Sequence, residues 1–175
     1  REVDAHLFVA YTPDADWESL KTVFPHAGFY PQKGNDLGER MYRVIRKVLE
    51  LGCESAVLTG TDLPMMTAAH LESGFAVLEE KDIAIGPTSD GGYYLVGMKK
   101  TCPEIFANQT YGGATVRENT LTAIAEAGYT CAPAPACEDV DTPEDLKQLW
   151  AVLKDQPSHT AAFLSLLQKE GVSLC

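Results

Sequence analysis

The sequence predicts an α/β fold, a three-layer α/β/α sandwich around a mostly parallel, mixed sheet. Two patterns lead there. Short apolar runs alternate with segments of helical spacing at intervals of about 10–15 residues, the rhythm of parallel strands joined by helices. One pair of runs, Asp82–Pro87 and Tyr93–Met98, is separated only by a turn around Asp90-Gly91-Gly92. Those two strands therefore lie side by side and antiparallel, which makes the sheet mixed. The 175 residues fit one domain at the usual ~150 residues each.

The elements follow in order. Ala5–Tyr11 (AHLFVAY) is a nearly continuous apolar run closed by Thr12-Pro13-Asp14 and reads as a buried strand feeding a turn. Trp17–Phe24 is a short helix. Pro25–Asp36 contains two Pro, two Gly, an Asn and an Asp and reads as a functional loop. Leu37–Leu51 repeats apolar residues at Leu37, Met41, Val44, Ile45, Val48 and Leu49, the helical spacing, and Gly52 stops it. Ser55–Thr59 (SAVLT) is a second buried strand, and Thr67 caps a helix that runs to about Glu79. After the two paired strands, Pro103–Ala107 makes one helical turn, Thr115–Ala127 is a helix stopped by Gly128, and Tyr129–Ala132 is a strand. The last helices begin at Asp141: Thr142 is the N-cap, Pro143 suits the first helical position, and Glu144 and Asp145 complement the positive end of the dipole.

Fourteen Lys and Arg against twenty-five Asp and Glu give a net charge of −11. That field repels a phosphate backbone, so no nucleic-acid partner is expected. A phosphorylated small molecule would need positive charge supplied at its site, for which a divalent cation is the economical source. No apolar run approaches the ~20 residues of a membrane span. Five scattered cysteines without a Cys-x-x-Cys pair, and a charged start unlike a signal peptide, point to the cytoplasm. His6, His26, His70 and His159 have no ligand spacing and read as structural.

In an open α/β sheet the ligand crevice lies beyond the carboxyl ends of the strands. Asp62 follows Ser55–Thr59, Asp90-Gly91-Gly92 follows Asp82–Pro87, and Asp139-Val140-Asp141 follows the last strand. If these ends converge, their carboxylates repel unless a cation lies between them, the donor set that Mg²⁺ or Mn²⁺ takes. Competing structural explanations are an N-cap for Asp62, helix-start chemistry for Asp141 and a plain hairpin turn for Gly91-Gly92. Of Tyr93 and Tyr94, one ring is expected in the core and one in the crevice. Asp139-Val140-Asp141-Thr142 also mimics an aspartyl-phosphatase loop, but it lacks the strongly apolar strand such a loop follows.

Asp36–Met41, Leu58–Pro64, Gly86–Gly97 and Asp139–Leu146 together resemble a bacterial family of uncharacterised GT-A-fold transferases in the nucleotide-diphospho-sugar transferase superfamily. Guanylyltransferases of molybdenum-cofactor and 2-phospholactate metabolism are relatives. The resemblance implies that Asp62 and Asp141 hold the metal of a nucleoside phosphate, with Asp139 as substitute. It implies that Leu37 and Gly38 lie against base and ribose, and that Asp90, Gly91, Gly92 and Tyr93 face the acceptor. It therefore implies a Mg²⁺- or Mn²⁺-dependent transferase that passes a nucleotidyl or glycosyl group from a nucleotide or nucleotide-sugar to a small acceptor. The alternative is a non-catalytic nucleotide-binding or regulatory module on the same scaffold. Relatives begin with a strand and a Lys-x-Pro-x-x-Gly-x-x-Lys-Thr-Arg-Leu phosphate loop. Nothing here matches that pattern, so residues 1–175 are expected to form a single domain that starts at the family's second strand.

Overall fold

The structure, a computed structural model, describes residues 3–156 and 158–174. Two parallel strands, β1 (Phe8–Tyr11) and β2 (Gly28–Pro31), flank the short helix α1 (Trp17–Val23). Helix α2 (Leu37–Glu50) leads to β3 (Ala56–Thr59), and α3 (Ala68–Glu80) to β4 (Ile83–Pro87). β5 (Tyr93–Met98), the 3₁₀ turn Pro103–Phe106 and α4 (Val116–Glu126) follow; then come β6 (Cys131–Pro133), α5 (Pro143–Leu153) and α6 (His159–Lys169). The strands form two sheets, β1-β2 and β3-β5-β4-β6. In the larger sheet β4 and β6 pair in parallel, and β5 runs antiparallel between β3 and β4. The mixed sheet is thus as the turn at Asp90-Gly91-Gly92 requires.

Each face of the larger sheet has its own core, which gives the three layers. Ile83 and Ile85 of β4, with Val96 and Met98 of β5, meet Ile45 of α2, Ile105 and Phe106 of the 3₁₀ turn, and Ile124 of α4. Ala84 and Leu95 point the other way, toward Leu78 of α3, as the period-two alternation of a strand demands. Ile83, Ala84, Leu95 and Met98 are fully buried; a side chain the size of Ile stabilises the fold by roughly 1.5–3 kcal/mol when so removed from water. Small residues let α3 lie close: a Cβ on Gly97 would sit 3.1 Å from the Leu78 side chain, and one on Gly74 3.2 Å from Leu95. Helices α5 and α6 pack mainly on each other through Leu149, Leu153, Ala161 and Leu164. Among the described residues no helix is long and apolar enough to cross a membrane.

The segment expected to be a loop, Pro25–Asp36, contains β2. Its local signal is short, with only Phe29 and Tyr30 between a glycine and a proline. Pairing with β1 decides the outcome: the Phe8 ring lies over Gly28, where a Cβ would come 2.6 Å from Phe8 Cδ1.

Candidate functional site

The carboxyl ends of β3, β4 and β6 open on one side of the larger sheet, and the segment after β6 crosses them in sequence. The Ala134 amide donates to Ile85 O at 2.9 Å, the Cys137 amide to Pro87 O at 3.3 Å and the Val140 amide to Asp62 O at 3.0 Å. Glu138 Oε2 accepts from the Ser89 amide (3.1 Å) and hydroxyl (2.6 Å). Four strand-end aspartates are thereby neighbours. Burial, followed by the charges of Asp90, Asp141 and Asp62, pushes the half-buried Asp139 carboxyl above its ordinary value.

Helix-capping explanations do not account for Asp62 or Asp141. Thr67 is the N-cap of α3, with its amide donating to His70 Nδ1 at 3.1 Å, so His70 serves the helix start and Asp62 does not. Thr142 is the N-cap of α5, and Asp145 completes the box by accepting from the Thr142 amide at 2.8 Å. The Asp141 amide also donates to Asp145, at 3.2 Å, which leaves the Asp141 carboxylate outside the cap. The Asp62 carboxylate is exposed and turned over Gly60, where a Cβ would stand 2.6 Å from Asp62 Oδ1. Its position depends on residue 60 having no side chain.

Asp90 is engaged differently. Its carboxylate accepts from the Thr88 hydroxyl and from the Gly92 amide at 2.9 Å, and these bonds hold its carboxyl below the usual carboxylate range. Gly91 takes a φ of +93° and packs directly on the backbone of Ala114, where a side chain would collide. The turn is thus built for its own shape and for the loop ahead of α4. Gly91 and Gly92 border the crevice through this turn.

Leu37, Gly38 and Tyr93 belong to another neighbourhood. Asp36 caps α2 by accepting from the Glu39 amide at 2.7 Å. Leu37 is exposed, but Gly38 is buried beneath Phe106 O and Tyr111, whose hydroxyl lies 2.9 Å from where a Cβ would be. Its lack of a side chain lets α2 close on the 3₁₀ turn. Both tyrosine rings of β5 point inward, against the expectation that one faces the crevice. Tyr94 is 5% exposed and its hydroxyl donates to Pro135 O at 2.9 Å. Tyr93 packs on the opposite core, and its hydroxyl and that of Tyr111 are buried near one another without a well-formed hydrogen bond. The reason is that helices cover both faces of β5.

Sequence reasoning missed Glu138, which anchors Ser89, and Arg117. The Arg117 amide donates to Gly91 O at 3.0 Å and its Nη1 to Thr88 O at 3.5 Å. A signal was present: a cation in the first turn of α4 opposes the helix dipole.

Carboxylate oxygens are hard donors of the kind Mg²⁺ or Mn²⁺ takes. Among the described residues no three His, Cys, Asp or Glu side chains are gathered closely enough to enclose an ion.

No curated protein matches the chain. Among solved structures, it is 35% identical to a proposed nucleotide-diphospho-sugar transferase from Desulfovibrio desulfuricans G20, covering 95% of this chain and 76% of that one with a TM-score of 0.87. The fold is also that of 4-diphosphocytidyl-2C-methyl-D-erythritol synthase (12% identity, 83% and 79% of the two chains, TM-score 0.59). It is shared too by the bifunctional IspDF of Campylobacter jejuni (14% identity, 82% and 41%, TM-score 0.55). A family model matches residues 1–113, and the chain belongs to that family, described as "Uncharacterized protein conserved in bacteria (DUF2064)".

Proposed function

We propose that the protein is a divalent-metal-dependent transferase that binds a nucleotide or nucleotide-sugar and passes a nucleotidyl or glycosyl group to a small acceptor. The observation that carries this reading is the meeting of strand ends: Val140 bonded to Asp62, with the Asp139 carboxyl raised by burial and by Asp90, Asp141 and Asp62. The family relative described as a proposed nucleotide-diphospho-sugar transferase supports the same class.

Asp62 and Asp141 are the residues that would hold Mg²⁺ or Mn²⁺, with Asp139 beside them. Bound there, the ion supplies charge neutralisation for phosphate oxygens of the donor. The chain's own contribution is positional. Gly60 leaves room for the Asp62 carboxylate, the Val140–Asp62 bond fixes the spacing of the two acidic segments, and the Asp90 turn shapes the facing wall. No side chain forms a covalent intermediate in this reading.

Phosphorus NMR of reactions with nucleoside triphosphates and nucleotide-sugars, Mn²⁺ and a panel of small phosphorylated and hydroxylated acceptors tests it. Release of pyrophosphate identifies nucleotidyl transfer, and release of a nucleoside diphosphate identifies glycosyl transfer. Tight nucleotide binding with no turnover of any pair would favour the non-catalytic module.

A further inference from the structure

The crevice wall opposite the metal-ligand candidates carries a cation with little structural employment. Arg117 is half-buried, and among the described residues its guanidinium makes one long hydrogen bond, Nη1 to Thr88 O at 3.5 Å. Its neighbour Asp90 already accepts from Thr88 and Gly92, and Arg117 adds a charge that favours the ionised carboxyl without forming an ion pair. A guanidinium has five donors in a planar fork, so most of this one's are uncommitted. Four other basic side chains are paired within their own helices, Lys21 with Glu18, Arg43 with Glu39, Arg46 with Glu50 and Lys147 with Glu144, and Arg40 Nε donates to Gly34 O at 3.2 Å. Arg117 instead stands in the first turn of α4, where the helix dipole disfavours it, tied by its own backbone to Gly91.

We propose that Arg117 is an oxyanion-binding residue, which takes a phosphate or carboxylate group of the acceptor beside the Asp90 turn. The assignment to the acceptor rests on the transferase reading; the oxyanion site itself does not. In a chain with net charge −11, an anionic acceptor would be repelled from four aspartates unless a fixed cation met it. The fork geometry suits a two-oxygen contact that Lys reproduces only in charge. The backbone tether to Gly91 holds Arg117 against the rigid turn, so the fork is positioned before the ligand arrives.

The test is titration of metal-free wild type, Arg117→Gln, Arg117→Lys and Asp62→Asn with inorganic phosphate and, separately, acetate, followed by NMR of the backbone amides of residues 88–92 and 117 at low ionic strength. Thermal melts accompany each variant. Wild type is expected to bind at least one anion, Arg117→Gln about tenfold or more weakly, and Arg117→Lys in between, with Asp62→Asn binding as well as wild type or better. Phosphate or acetate preference tells which oxyanion is recognised. Anion binding by Arg117→Gln equal to wild type, or none by wild type, overturns the proposal. If Arg117→Gln melts early, Arg117→Lys decides: undiminished binding there removes the fork from the site. Failure of the transferase reading registers elsewhere, in nucleotide and Mn²⁺ titrations that depend on Asp62.

Discussion

The two ends of the larger sheet both carry strand-end aspartates, and they use them in opposite ways. At the amino end of β4, Asp82 is fully engaged: it accepts from the Thr130 amide at 2.9 Å and hydroxyl at 2.6 Å, and these bonds hold its carboxyl below the ordinary value. It ties β4 to the start of β6. At the carboxyl end, Asp62 and Asp141 stand outside the caps of the helices that follow them, and Asp139 is crowded by other carboxylates. Acids at one end hold strands together; at the other, Asp90 is satisfied within its own turn while Asp139 keeps a carboxyl raised by burial and then by neighbouring acids. A half-buried carboxyl set among other acids, with Asp62 and Asp141 outside the helix caps, is the arrangement that points to a ligand.

Five substitutions probe that contrast. Asp62→Ala or Asp141→Ala should lower metal-dependent turnover or nucleotide binding by roughly 100-fold, equivalent to ~3 kcal/mol, while the melting temperature holds or rises. Isothermal titration with Mn²⁺ and nucleotide, beside a thermal melt, checks both. Gly38→Ala should cost about 1–3 kcal/mol of stability, because the methyl meets the backbone of Phe106. Urea unfolding measures this, and a large loss with intact binding per folded molecule would give Gly38 to packing rather than to a base or ribose.

Asp139→Asn in the metal-free protein should raise the melting temperature modestly, since it removes a charge that burial, and then the neighbouring acids, disfavour; calorimetry in EDTA reads the shift. Asp82 should show the reverse. A depressed carboxyl contributes stability that is present above the unfolded value of ~3.9 and lost as pH falls through the folded value. Asp82→Asn should therefore lower stability at neutral pH and flatten the decline in acid, as chemical unfolding between pH 2 and pH 7 would reveal. Equal acid limbs in the variant and wild type would remove Asp82 from its role.

Most elements were legible because local signals agree with their tertiary setting. Thr142-Pro143 begins α5, Gly128 follows α4, and the turn at Asp90-Gly91-Gly92 reverses the chain into β5. β2 was not legible, because four residues bounded by Gly28 and Pro31 become a strand only when β1 supplies the ladder and the Phe8 ring. The crevice aspartates could be read from their place after strands. Their meeting depends on the Val140–Asp62 bond, which joins residues far apart in sequence. Arg117 escaped for a similar reason: its relation to Thr88 spans 29 residues, and only its unfavourable seat at a helix start was local. Tyr93 and Tyr94 show the limit of alternation, which assigns faces correctly but does not say that both faces are covered.

The most direct measurement is calorimetric titration of wild type and Asp62→Ala with a panel of nucleoside triphosphates and nucleotide-sugars, in Mn²⁺ and again in EDTA. A metal-binding crevice at the carboxyl end gives saturable binding of one nucleotide class that disappears in EDTA and weakens about 100-fold in the variant. Binding that survives EDTA and the substitution, or no binding of any nucleotide by wild type, would contradict it.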